Sequence, residues 1–329
     1  MTALKPKVLI ARRAPAAVVE QLSAHFDVDF HDGEAPLSAD ELRARLQGKA
    51  GAYITGTERL TAELLAACPD LRAVSTMSVG YNHIDLAACT ARRVLVTNTP
   101  DVLTETTADL GFALLMATAR RMSEGERLLR DGLWKSWSWD FLAGADVHGT
   151  TLGILGMGRI GQALARRGRF GFNMNIAYHN RSRLPADTEA ELGARYLSKD
   201  ELLRQADHLI LVLPYSAASH HCIAAAELAL MKPTATLVNI ARGGIVDEDA
   251  LAAALREHRI AAAGLDVFEG EPRVNPALLS LPNIVLTPHI GSATMPTRLA
   301  MAGLAADNLV AALTGAPPPT PLNPEILPL

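Results

Sequence analysis

Apolar residues along the chain fall in short runs, and the stretches between them carry apolar positions at helical spacing. Runs at 7–11, 51–54, 73–76 and 94–96 predict strands. Segments such as LSADELRARLQ (37–47) predict amphipathic helices. This alternation predicts a parallel sheet covered on both faces by helices. Thr106 and Asp109 have capping-box spacing before the apolar run 110–119, which predicts a long helix. The pattern breaks over 131–149, DGLWKSWSWDFLAGADVHG, which holds all three tryptophans and reads as a loop. A second alternating series then begins, with strands expected at 151–155, 176–179, 208–213, 236–240, 262–267 and 284–287. Ser198 and Glu201 form another capping box, opening the helix before the third of these strands. A last helix, 296–314, places Met301, Leu304, Ala305, Leu309, Ala312 and Leu313 on one face. The proline-rich tail reads as extended.

A chain of 329 residues suggests roughly two domains. Apolar residues make up 49% and charged residues 20%, an ordinary globular balance. The net charge of −4 argues against a broad surface for nucleic acid or membrane. The run 110–119 is shorter than the roughly 20 residues of a bilayer span. The start of the sequence shows no signal-peptide core. Cys68, Cys89 and Cys222 are scattered, so neither a disulfide framework nor a metal site is expected, and the reading is a cytoplasmic protein.

The chemistry concentrates in the second series. LGILGMGRIG places Gly156, Gly158 and Gly161 directly after an apolar strand and at the mouth of a helix, the context of the dinucleotide fingerprint. The first glycine allows a tight turn, the second lets backbone approach a pyrophosphate, and the third lets helix and sheet pack closely. Amides at Arg159 and Ile160 would face the phosphate. The next strand ends in His179, Asn180, Arg181, Ser182 and Arg183, with no carboxylate for the ribose hydroxyls. Asn180, Arg181 and Ser182 would instead welcome a 2′-phosphate, so NADP(H) is expected over NAD(H). A solvated basic loop is the competing reading.

Three later strand ends bring further candidates: Arg242 in VNIARGGIVDEDAL, Asp266 and Glu271 in AAAGLDVFEGEP, and His289 in TPHIGSAT. Reduction of a 2-oxo acid needs a cation for the carboxylate, a proton donor for the carbonyl oxygen and a hydride source. Arginine, histidine and a nicotinamide supply these, and a glutamate orients the histidine. Taken singly, Arg242 also reads as a surface charge, Glu271 as a loop acid and His289 as a core histidine.

Together with STMSVGYNHID (75–85) and TPDVLTETTADL (99–110), these segments resemble the D-2-hydroxyacid dehydrogenase family, and within it the glyoxylate/hydroxypyruvate reductases. The resemblance covers about 8–315. It implies an α/β fold of two Rossmann- or flavodoxin-like lobes with parallel sheets. A substrate-binding lobe, 1–101 and 290–329, would receive an inserted NAD(P)-binding Rossmann lobe, 102–289. It implies Arg242, Glu271 and His289 as the catalytic trio. It implies substrate contacts at Val79, Gly80, Ser292, Arg242 and His289. Thr107, Leu213, Pro214, Ile240, Asp266 and Gly291, with Arg242 and His289, would lie along the cofactor. The family is usually a homodimer, and Trp137 matches a tryptophan that reaches the partner subunit's site. Gly56 stands where some glyoxylate reductases carry leucine, which leaves glyoxylate, hydroxypyruvate and 2-ketogluconate as candidate substrates. The alternatives are an NAD-dependent enzyme such as phosphoglycerate dehydrogenase, or a non-enzymatic dinucleotide sensor like the family's corepressors. The histidine pair His220–His221 reads as part of a solvated loop.

Overall fold

The computed structural model describes residues 5–327. The chain divides into two compact units, one made of residues up to Leu103 together with those from Thr294 on, the other Thr104–Ala293.

The first unit is built on a five-stranded parallel sheet. Its strands are β1 (Lys7–Ile10), β2 (Asp27–Phe30), β3 (Gly51–Ile54), β4 (Ala73–Thr76) and β5 (Leu95–Thr97), in the order β2-β1-β3-β4-β5. That order is the flavodoxin-like doubly wound arrangement. β3 and β4 are buried at every position, which is why they read as continuous apolar runs. β2 lies on the sheet edge and is only partly buried; its sequence DVDF gives no apolar run, and the pattern misses it. The helix Ala39–Leu46 opens with the capping box Ser38–Glu41. The last helix, Met295–Thr314, buries Met301, Ala302, Ala305, Ala306 and Leu309 on one face. The tail then runs back along the sheet: Leu322 N donates to Val96 O, and Asn323 pairs with the backbone of Val94 and Val96.

The second unit carries β6 (Thr151–Leu155), β7 (Asn175–His179), β8 (Ala194–Tyr196), β9 (His208–Leu211), β10 (Thr236–Asn239), β11 (Ala262–Leu265) and β12 (Ile284–Leu286). All pair in parallel in the order β12-β11-β10-β9-β6-β7-β8, the Rossmann order extended by one strand. The order reverses between β6 and β9, where Leu155 stands opposite both His179 and Leu211. β8, sequence ARY, is the second edge strand the pattern misses. β9, β10 and β11 end sooner than their apolar runs, because Val212, Ile240 and Val267 already belong to the loops that leave the sheet.

The long helix is Thr104–Ala119, so Thr106 lies inside its first turn and is not its cap. Asp109 serves a different purpose, accepting from Arg167 Nη2 at 2.6 Å. The capping box Ser198–Glu201 does open the helix Lys199–Gln205. Residues 131–150 form neither helix nor strand, and Trp137 and Trp139 are 77% and 86% exposed.

Candidate active site

The glycine turn follows β6 and has the geometry its sequence requires. Gly156 has φ +104°, and a Cβ there would come within 2.7 Å of Leu213 N. A side chain is therefore excluded both by conformation and by the strand-end backbone beside it. A Cβ on Gly161 would lie 2.5 Å from Gly156 O, so the third glycine sets the approach of the helix Arg159–Arg166. A Cβ on Gly158 would meet nothing within 4 Å. Open space thus lies over the turn, at a helix start whose dipole favours an anion, and the first-turn residues are Arg159 and Ile160. These residues fit a dinucleotide's pyrophosphate.

The end of β7 carries the residues expected to meet a 2′-phosphate. Asn180 Oδ1 accepts from Met157 N at 2.6 Å, so this side chain clasps the glycine turn. Arg183 is engaged with Glu189 through Nε and Nη2. Arg181 and Ser182 remain exposed beside it. Leu213 abuts Gly156, while Pro214 O accepts from Ser219 Oγ. The Ile240 side chain packs into the space left by Gly111 of the long helix, so any part it plays toward a cofactor falls to its backbone.

Arg242 follows β10 in a turn shaped by buried Asn239, whose Oδ1 accepts from Ala241 N while its Nδ2 donates to Arg242 O. Gly243 then presses against the next loop. A Cβ there would fall 1.8 Å from the Phe268 carbonyl carbon. That contact brings the arginine turn against the loop bearing Glu271. Burial pushes the Arg242 guanidinium below its ordinary value, and the charge of Glu271 opposes the shift.

Glu271 is held from two sides. Its Oε1 accepts from Phe268 N at 2.8 Å, and its Oε2 accepts from His289 Nδ1 at 2.7 Å. Burial raises its pKa, but His289, the Phe268 amide and Arg242 together outweigh burial and hold it below the usual carboxylate range. Because a carboxylate only accepts, His289 carries its proton on Nδ1 toward Glu271, and the Nε2 atom is the one left for other chemistry.

His289 sits at φ +52°, a left-handed conformation that a non-glycine residue adopts at a cost. Buried Asp266 enforces it. Its carboxylate accepts from Thr287 Oγ1 at 2.7 Å, Ile290 N at 2.8 Å and Gly291 N at 2.8 Å, and its own carbonyl accepts from His289 N. Burial raises the Asp266 pKa despite these donors. Thr107 and Gly291 lie against this anchor: a Cβ on Gly291 would meet Asp266 Oδ2 at 3.2 Å and Thr107 Cγ2 at 3.4 Å. Thr287 and Asn239 are supports that motif reading overlooks. So is Glu248, buried, whose Oε1 accepts from Glu269 N. Burial, first, raises the pKa of Glu248.

In the first unit, Val79 and Gly80 follow β4. Their carbonyls are taken by Asn98 Nδ2 and Ser78 Oγ. Among the described residues their amides donate to no recorded acceptor.

A profile described as "D-isomer specific 2-hydroxyacid dehydrogenase, NAD binding domain" matches residues 112–291. The chain belongs to the D-isomer-specific 2-hydroxyacid dehydrogenase family. It is 47% identical over 328 residues to a glyoxylate reductase of Thermococcus onnurineus, covering 98% of both chains. It is 45% identical over 325 residues to a glyoxylate/hydroxypyruvate reductase B of Yersinia pestis, covering 98% of this chain and 99% of that one. Its fold is similar to an NADPH-dependent glyoxylate/hydroxypyruvate reductase of Sinorhizobium meliloti solved with NADP and malonate. The TM-score is 0.85 at 36% identity, with 97% of each chain covered. The family match places a nicotinamide dinucleotide on the Rossmann unit, where the glycine turn fits it. No helix among the described residues is long and apolar enough to cross a membrane.

Proposed function

We propose that this family member is an NADPH-dependent reductase of small 2-oxo acids, giving D-2-hydroxy acids, with glyoxylate, hydroxypyruvate and 2-ketogluconate as the candidate substrates. The His289–Glu271 pair, whose glutamate feels the charge of Arg242, carries this reading. The names of the glyoxylate and hydroxypyruvate reductases it resembles support the substrate class. The neighbour solved with NADP supports the cofactor.

In this reading Gly156, Gly158, Gly161, Arg159 and Ile160 hold the pyrophosphate, and Arg181 with Ser182 meets the 2′-phosphate. When bound, the nicotinamide supplies the hydride. Arg242 grips the substrate carboxylate and polarises the carbonyl. Val79 and Gly80 serve as substrate contacts of the first unit through their amides, and Ser292 lies on the substrate side. His289, as imidazolium, donates the Nε2 proton to the oxygen that becomes the hydroxyl, ending neutral with its remaining proton on Nδ1, still hydrogen-bonded to Glu271. The tryptophan loop serves a homodimer contact through which Trp137 reaches the substrate site of the partner subunit.

Steady-state oxidation of NADPH and of NADH with each of the three acids tests the proposal. Turnover with NADPH to a D-hydroxy acid, identified by chiral chromatography, is expected. No turnover on any of them, with cofactor binding demonstrated, overturns it.

A further inference from the structure

The second unit contains another histidine–carboxylate group that the reaction above does not use. His220 and His221 follow β9, and Glu269 follows β11. One ligand atom from each lies within 4.8 Å of the others. His221 Nε2 donates to Glu269 Oε2 at 2.8 Å. The two imidazoles stack with centroids 3.8 Å apart, so both rings project to the same side. Their presentation is built in. His221 adopts φ +48°, a conformation that turns consecutive side chains together, and its amide is fixed to Gly244 O. Gly244 also lets Tyr215 and His220 approach, since a Cβ there would fall 2.9 Å from the tyrosine ring. Tyr215 Oη meets His220 Nδ1 at 3.1 Å, the outer-shell contact that leaves Nε2 as the ligand atom. Asp247, Glu248 and Asp249 line the adjoining cleft of about 540 Å³ together with one cation, Arg273, so carboxylates outnumber positive charge beside the group.

We infer that His220, His221 and Glu269 form a binding site for a divalent transition metal ion of the zinc class. Two imidazoles and one carboxylate are a donor set such ions favour, and a tetrahedral ion needs its donors about 3.4 Å apart. Rotation of the exposed His220 and Glu269 side chains, which unstacks the two imidazoles so that their lone pairs converge, would bring the donors to that spacing. The ion takes the place of the His221–Glu269 hydrogen bond, with the proton of the neutral imidazole moving to Nδ1. The fourth position stays open to water. This inference stands apart from the reductase reading, because its primary test is binding.

Isothermal titration of the metal-free full-length protein with Zn²⁺, and separately with Co²⁺, is the experiment. One ion per chain is expected. His220→Ala and Glu269→Gln should each weaken binding about tenfold or more, while His289→Ala keeps it. Three results overturn the site: no binding up to millimolar Zn²⁺, equal binding by wild type and His220→Ala, or loss of binding in His289→Ala. The last would place the ion on the other pair.

Discussion

Two histidine–glutamate pairs lie in the Rossmann unit with their glutamates two residues apart. His289 Nδ1 meets Glu271 at 2.7 Å and His221 Nε2 meets Glu269 at 2.8 Å, and both histidines have positive φ. By distance and backbone they are near twins, so a histidine–carboxylate contact is not what marks a catalytic site. The surroundings differ. Glu271 also takes the Phe268 amide and feels the charge of Arg242, and the His289 loop is pinned at three points by buried Asp266. His221 stands beside a second exposed imidazole and a cleft of carboxylates. The first setting suits the proton donor proposed above, held in place and under the charge of a guanidinium. The second gathers lone pairs beside a cleft in which carboxylates outnumber the single cation, Arg273.

The largest expected effect tests this contrast directly. His289→Ala should lower kcat for the 2-oxo acid by about 10²- to 10⁴-fold, the usual worth of a general acid. His221→Ala in the same metal-free assay should cost at most about threefold, within what a shifted Glu269 loop transmits. Comparable losses in both would erase the distinction. A smaller effect is expected at the anchor. Asp266→Asn keeps the shape but puts an amide N–H where one backbone donor now points, freeing the loop that holds His289. The loss in kcat should be about 10²-fold, as for a misplaced catalytic group, with dinucleotide binding measured by fluorescence titration as a second readout. Wild-type kcat in this variant would show that His289 holds its place without Asp266.

The dinucleotide end of the rim should respond independently of both pairs. Arg181→Ala is expected to raise KM for NADPH about tenfold while moving KM for NADH less than about twofold, the scale of one charge-assisted hydrogen bond. Equal shifts for the two cofactors would remove Arg181 from the 2′-phosphate. Asn180 is expected to behave differently: held to Met157 N, it supports the turn for both cofactors alike.

Much of this architecture is legible in the chain. The buried strands announce themselves because both faces are covered, and the glycine turn does so because each glycine has a separate steric reason. The edge strands β2 and β8 do not, since a half-exposed edge needs no apolar run. Thr106 and Asp109 imitate a cap because the same spacing recurs inside a first helical turn, where Asp109 answers Arg167 instead. Arg242, Glu271 and His289 can be picked out as strand-end residues of suitable chemistry. The contacts that support them cannot: Asp266, itself a strand-end candidate, reaches Gly291 and Glu248 reaches Glu269 across more than twenty residues, and spacing holds no record of such contacts. His221 reads as a loop residue for the same reason, because its partner is 48 positions away.

The smallest effect concerns acid. The Glu271 pKa is depressed in the fold, since its donors outweigh the burial that would raise it. A carboxyl depressed on folding contributes stability that is fully present above its unfolded value, near 4.3, and is lost as pH falls through the lower folded value. The wild-type lead in urea midpoint over Glu271→Gln, compared across pH, should therefore not shrink from pH 7 down to about 5. The wild-type lead should shrink only below about 4.3. Glu269→Gln supplies the matched baseline for a substitution two residues away in the same loop. A lead that already fades between pH 7 and 5 would mean that the His289 and Arg242 charges do not hold Glu271 ionised. The feature that separates the two pairs would then be the Asp266 anchor alone.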